Sequence, residues 1–223
     1  ERNTVIPKEV IIVDDSQKGL HERIKVEYSG LLNLIFVNNE YNMGACASRN
    51  IGVLKSKMDW VMLLDDDDLF TSDRIELLFK YARNESATMV GSQSARFEID
   101  VNQATPSKPL NKNWVDVQKL YEGNFLGASV LVRKDVYLAS GGFDPKMIAS
   151  QDHDAYVRML NYAQKAFFIN RVTYYSRQHS GEYRISNNKV VGYLQFCIKH
   201  RKKISLKMKL ICILKVSESL LKG

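Results

Sequence analysis

At 223 residues, 45% of them apolar, the chain can bury one sizeable core, and no repeat or low-complexity run marks it as fibrous or disordered. No uncharged apolar stretch approaches the ~18 residues of a membrane span, and Glu1-Arg2-Asn3 is not a signal peptide. Three cysteines without CxxC spacing (Cys46, Cys197, Cys212) argue against a disulfide framework or zinc site and fit reduced thiols in the cytoplasm; the formal charge of +7 lies in the tail, where residues 196–223 hold eight Lys or Arg and one acid.

In chain order, Glu9–Val13 reads as a short buried strand running into Asp14-Asp15-Ser16. His21 to Gly30 has a mixed pattern compatible with a helix. Leu34–Val37 is a second strand, ending at Asn38-Asn39. Gly44–Ser56, with small residues and Ala47, Ile51 and Leu54 at helical spacing, predicts a helix. Trp60–Leu64 is a uniformly apolar third strand that meets Asp65-Asp66-Asp67-Asp68. Thr71 or Ser72 would then cap a helix through Arg83. Further on, Ala87–Gln93, Ser129–Arg133, Ala166–Asn170 and Val172–Tyr175 are strand-like. Gly141–Pro145 is a turn cluster, and Asp152–Lys165 is helical by periodicity.

Strands alternating with helices indicate a parallel sheet covered on both faces, and ligands bind such sheets beyond the carboxyl ends of the strands. Asp14-Asp15 and Asp65–Asp68 both occupy strand ends, so they should meet on one rim. Two carboxylates about 4 Å apart repel by roughly 1 kcal/mol even in water, a cost that a hard divalent cation removes. Asp65 and Asp67 alternate in an extended chain and share a side, as a D-x-D pair does. The bland alternative is a solvated loop whose Asp68 and Asp73 favour the next helix's N-terminus.

The ordered segments Ile11–Ser16, Asn42-Met43-Gly44-Ala45, Ala47–Gly52, Leu64–Asp68, Gly141–Asp144 and Ser150–Asp154 together resemble the motifs of family 2 glycosyltransferases, from about residue 8 to 180. The resemblance implies a GT-A fold: a Rossmann-like, mainly parallel α/β sheet flanked by helices, with a C-terminal helical appendage. The catalytic domain would be residues 1–195, a nucleotide-binding half to about 94 and an acceptor half after it, with a basic segment at 196–223. It implies an inverting transfer of a single sugar from a nucleotide-sugar, a UDP-sugar first among them, to a carbohydrate or lipid-linked acceptor, as in bacterial surface-polysaccharide synthesis. Asp14, Asp15, Arg49, Asp65 and Asp66 would bind the nucleotide. Asp65 and Asp67, with His179, would hold Mn²⁺ or Mg²⁺. Asp152 would be the general base and Asp154 an acceptor contact; the plain alternative for Asp152 is a helix N-cap.

The chain departs from the family in two respects. Only Glu1–Lys8 precedes the strand ending in Asp14-Asp15, where the family places another strand, central to the sheet. The Gln-x-x-Arg-Trp signature of processive synthases is absent, which favours single additions over polymer extrusion. Two rivals come from other classes: a receiver-type phosphoacceptor pocket, with Lys108 as its lysine, and a nucleotidyltransferase. The first would orphan Ser150–Asp154 and the second lacks its Gly-rich basic loop. In the tail, Ile204, Met208, Ile211 and Leu214 can line one side of a basic helix. That side would either lie on an anionic membrane at the cytoplasmic face or pack on the catalytic domain. No nucleic-acid partner is expected.

Overall fold

The computed structural model describes residues 4–19, 24, 33–178, 189–211 and 214. The expected helix at His21–Gly30 falls, apart from Ile24, outside the described residues, as do His179 and Cys212.

Strands β1 (Val10–Asp14) and β2 (Leu34–Asn38) pair in parallel, Val10 opposite Leu34 and Asp14 opposite Asn38. Helix α1 (Ala45–Lys55) runs back along β1, where Gly52 leaves room for Val13, and buries Cys46 and Val53 on its inner face. Next come β3 (Trp60–Met62), the two-residue β4 (Leu69–Phe70) and helix α2 (Arg74–Asn84). Arg74, Leu78 and Ala82, four residues apart in turn, form the buried stripe of α2. The rest comprises β5 (Met89–Phe97), β6 (Thr105–Pro106), β7 (Trp114–Asp116), α3 (Val117–Glu122), β8 (Val130–Arg133), α4 (Lys134–Ala139), α5 (Gln151–Ala163), β9 (Lys165–Arg177) and α6 (Lys189–Lys199).

The second sheet has the order β3-β8-β5-β9-β4, with β6 beside β5 and β7 beside β9. Its strands are mixed rather than mainly parallel. β8 runs against both β3 and β5, while β5 and β9 are parallel. Alternation of strand and helix indicates direction only while each helix is a crossover, and β5 reaches β8 through short strands and the brief α3 instead. Among the described residues no pairing joins β1 to β3. Val53 of α1 and Val61 of β3 nevertheless share one core with α5 and α6.

The two strands expected at Ala166–Asn170 and Val172–Tyr175 are one, because β9 continues through a register shift opposite Ser92–Ser94. Helix α2 begins at Arg74, later than expected. Thr71 and Asp73 bond to each other through their side chains, and neither side chain caps the helix.

The boundary placed at 195/196 also moves, for it would cut α6. Phe196 is fully buried, worth about 1.5–3 kcal/mol for such a ring. An added Cβ at Gly192 would come within 2.6 Å of Ala149, so α6 lies directly against the segment leading into α5. Ile204 and Met208 are buried in the same core and Ile211 packs on it. The apolar side of the tail formed by Ile204, Met208 and Ile211 therefore packs on the core of the preceding residues.

Candidate active site

Each acidic strand end is built by its loop. Beyond β1, the Asp14 carboxylate accepts from Ser16 N (2.8 Å) and Ser16 Oγ (2.6 Å). Asp15 accepts from Asn39 Nδ2 (2.7 Å) and from the backbone of Met43 and Gly44 (both 2.8 Å). Burial pushes the Asp15 carboxyl up, but these hydrogen bonds outweigh it and hold the group below its ordinary value. Asp15 thereby ties the end of β1 to the turn that starts α1. Beside it lies a cleft of about 290 Å³ lined by Asp14, Gln17, Gly19, Asn38, Asn39 and Glu40.

One turn into α1, Arg49 donates to Asp65 Oδ1 from Nη2 (2.6 Å) and Nε (3.2 Å), and to Gln151 Oε1 from Nη1 (3.3 Å). Burial disfavours the guanidinium, and the charge and hydrogen bonds of Asp65 more than offset it, so Arg49 stays charged. Arg49 thus joins the acidic turn after β3 to the residue preceding Asp152. Asp66 on the same turn is exposed and Asp67 half-buried. Asp68 points the other way. It is buried, accepting from Tyr174 Oη and from Arg177 N (2.8 Å), and burial raises its pKa. The fourth aspartate anchors the turn to β9.

Asp152 is the second residue of α5. Its Oδ1 accepts from His153 N (2.8 Å), an otherwise unpaired first-turn donor, and its Oδ2 from Asn124 Nδ2 (2.7 Å). It is not the N-cap, a position held by Ser150 with left-handed backbone and no side-chain bond. Burial raises the Asp152 pKa, making it a stronger proton acceptor than a carboxylate in water. Asn124 was not singled out from the sequence. It is fixed by Leu126 N (3.1 Å) and Gly127 O (3.0 Å), and the loop Gly123–Gly127 that carries it was the available signal.

Asp154 is not available to an acceptor. It is fully buried and accepts from Arg158 Nε (2.9 Å) and Nη2 (2.8 Å), Lys199 Nζ (3.0 Å) and His200 Nε2 (2.9 Å). Two residues from Asp152 on a helix is a rotation of about 200°, which turns the side chain into the core. His153 is buried as well, donating from Nε2 to Leu120 O and stacked on Phe196.

Asn50 locks α1 to the turn after α4. Its amide donates to Phe143 O (2.7 Å), while Oδ1 accepts from Phe143 N (2.8 Å) and Tyr137 Oη (2.7 Å). Gly142 adopts φ 62°, and a Cβ there would overlap Asn50 Oδ1 and lie 2.8 Å from Tyr137 Cε1. Gly142→Ala should therefore cost about 2–4 kcal/mol, combining left-handed strain with overpacking. Guanidinium melts of the two proteins measure it, and equal midpoints would refute the lock.

Among the described residues no cluster of three His, Cys, Asp or Glu is poised to hold a metal ion. A magnesium-type ion needs fewer, because one or two carboxylates and substrate phosphates complete its shell. Asp65 and Asp67 fit that requirement by donor chemistry, and His179 lies outside the described residues.

Residues 2–138 match the model of the family described as glycosyl transferase family 2. An uncharacterized glycosyltransferase of Haemophilus influenzae is 30% identical over 156 residues, covering 68% of this chain and 52% of its own length. The amylovoran biosynthesis glycosyltransferase AmsB of Erwinia amylovora is 27% identical over 197 residues, 78% of this chain and 64% of its own. The chain thus spans about half to two thirds of these relatives. Among solved structures, S. aureus TarS 1–349 in complex with UDP-GlcNAc is similar with a TM-score of 0.70 at 16% identity, covering 86% of this chain and 58% of that one. The likeness to TarS is one of fold.

Proposed function

Because the chain belongs to glycosyl transferase family 2, we propose that it moves a single sugar from a UDP-sugar to an acceptor hydroxyl with inversion. The observation that carries this reading is the bonded set Asp65–Arg49–Gln151 next to Asp152, which sets the D-x-D turn beside a carboxylate of raised basicity. The UDP-GlcNAc held by TarS supports the class of donor. Amylovoran biosynthesis, the role in AmsB's name, supports a carbohydrate or lipid-linked acceptor, which in this reading is met at the cytoplasmic leaflet. The receiver and nucleotidyltransferase readings give way to the family match.

In this reading the nucleoside sits at the cleft by Asp14, with Asp15 holding its walls, and the diphosphate lies toward Asp65–Asp67. Arg49 sits near the nucleotide and orients Asp65. Asp65 and Asp67 would hold Mn²⁺ or Mg²⁺, which would neutralise charge gathering on the departing diphosphate. Asp152 takes the acceptor's proton as the acceptor oxygen attacks the anomeric carbon, on the face opposite the leaving UDP. Asn124 and the His153 backbone N–H keep the carboxylate in one orientation.

Thermal stabilisation by nucleoside diphosphates and nucleotide-sugars, with and without Mn²⁺, tests the proposal. A ligand at 100 times its dissociation constant should add about 2.7 kcal/mol. No response to any nucleoside diphosphate would refute it. Asp67→Ala should bind UDP more weakly, and Mn²⁺ should no longer help. If metal dependence is equal in variant and parent, Asp67 is not a ligand.

A further inference from the structure

The tail carries a second apolar stripe, distinct from the one buried on the domain. The chain is helical at 206–211, with Met208 buried and Ile211 half-buried against the core. Leu206 and Leu210, one helical turn apart, are 83% and 59% exposed on the opposite side. A scattered exposed leucine is ordinary, but two aligned on one outward face are not scattered. Lys207 and Lys209 flank the stripe, one on each side, at about 100° per residue. Arg201, Lys202 and Lys203 lead into it, all exposed, and residues 201–211 contain no acid.

From this placement we infer that the Leu206–Leu210 face docks on an anionic lipid surface. The inner face is already fixed to the protein, so the helix does not need to detach. The leucines enter the boundary between headgroups and acyl chains while Lys207 and Lys209 reach sideways to the phosphates. The cations supply attraction to the negative leaflet and the leucines supply retention. A polyanion such as nucleic acid would satisfy the charges and leave the leucines in water, which is why lipid is the better match. No helix among the described residues is long and apolar enough to cross a membrane. The surface is independent of the proposed sugar transfer.

The test uses the whole chain and sedimentation with vesicles of phosphatidylglycerol or of phosphatidylcholine. Binding to the former at low salt and not to the latter is expected. Leu206→Ser with Leu210→Ser should lower the bound fraction roughly tenfold. Its melting temperature should stay unchanged, because both side chains face solvent. Lys207→Gln with Lys209→Gln should lower binding too. The inference is overturned if the parent ignores phosphatidylglycerol, or if the leucine variant binds as the parent does, which would mean adsorption by charge alone. Binding of duplex DNA in preference to the vesicles would also overturn it. So would a dimer in vesicle-free sedimentation that the leucine variant dissolves, since the occupant would then be a second copy.

Discussion

Asp152→Asn is expected to bind UDP as the parent does and to turn over roughly 10²–10⁴-fold more slowly, the usual worth of a positioned general base. The amide keeps the volume and loses the proton acceptor. It cannot accept from both His153 N and Asn124 Nδ2, so one hydrogen bond is lost as well, worth about 1 kcal/mol. Asn124→Ala separates the two effects, for it removes the same bond and leaves the carboxylate. Its turnover should fall less. A pH profile adds an independent readout. Because burial raises the Asp152 pKa, activity should fall as the pH drops through a value above the ordinary carboxylate range. That limb should vanish in the asparagine variant. Near-normal turnover of Asp152→Asn would leave Asp152 a purely structural residue.

Asp154→Ala should destabilise the protein by about 3–5 kcal/mol, the usual cost of breaking a buried ion pair by removing one partner. His200, itself buried, would lose its acceptor, while Arg158 would keep Ser140 O and Lys199 would keep Asp144. Burial pushes the Asp154 carboxyl up. The hydrogen bonds of His200 and Lys199 and the charge of Arg158 outweigh that and hold it far below the ordinary carboxylate range. The folded state therefore binds this proton more weakly than the unfolded chain. The stabilisation is present above the unfolded pKa of about 3.9 and is lost as the pH falls toward the folded value. Guanidinium melts across acidic pH should show the parent losing stability that Asp154→Asn never had. Parallel curves would mean that Asp154 contributes nothing through its charge.

The parts of the fold legible in the sequence were those set by local pattern. The apolar runs ending in Asp14-Asp15 and Asp65–Asp68 marked strands and the acidic turns that follow them, and the small residues of Ala45–Lys55 marked α1. Strand direction was not legible, because a buried apolar run such as Val130-Leu131-Val132 looks the same in either orientation. Four neighbouring aspartates looked alike too. Only tertiary partners separate Asp65, paired with Arg49, from Asp68, turned inward to Tyr174. Asp154 misled for a related reason: an acid beside Asp152 reads as part of the site until α6 supplies Lys199 and His200 as its partners. In the tail the periodicity of Ile204, Met208 and Ile211 was correct, Leu214, read as part of the same side, is exposed instead, and what the side packs against was not encoded locally.

The closure of α6 on α5 also has a consequence in time. Lys199 and His200 follow Asp154 by 45 and 46 residues, so the ribosome delivers the buried acid, with Arg158 close behind it, well before these two partners. At about 5–20 residues per second, that interval lasts roughly 2–9 s. During it Asp154 has Arg158 of its own helix as a partner but neither Lys199 nor His200, and Ala149 still lacks the helix that packs on it. Strands β1 and β2 pair with each other and can form early in synthesis, whereas the first turn of α5 gains its remaining partners only once α6 has emerged.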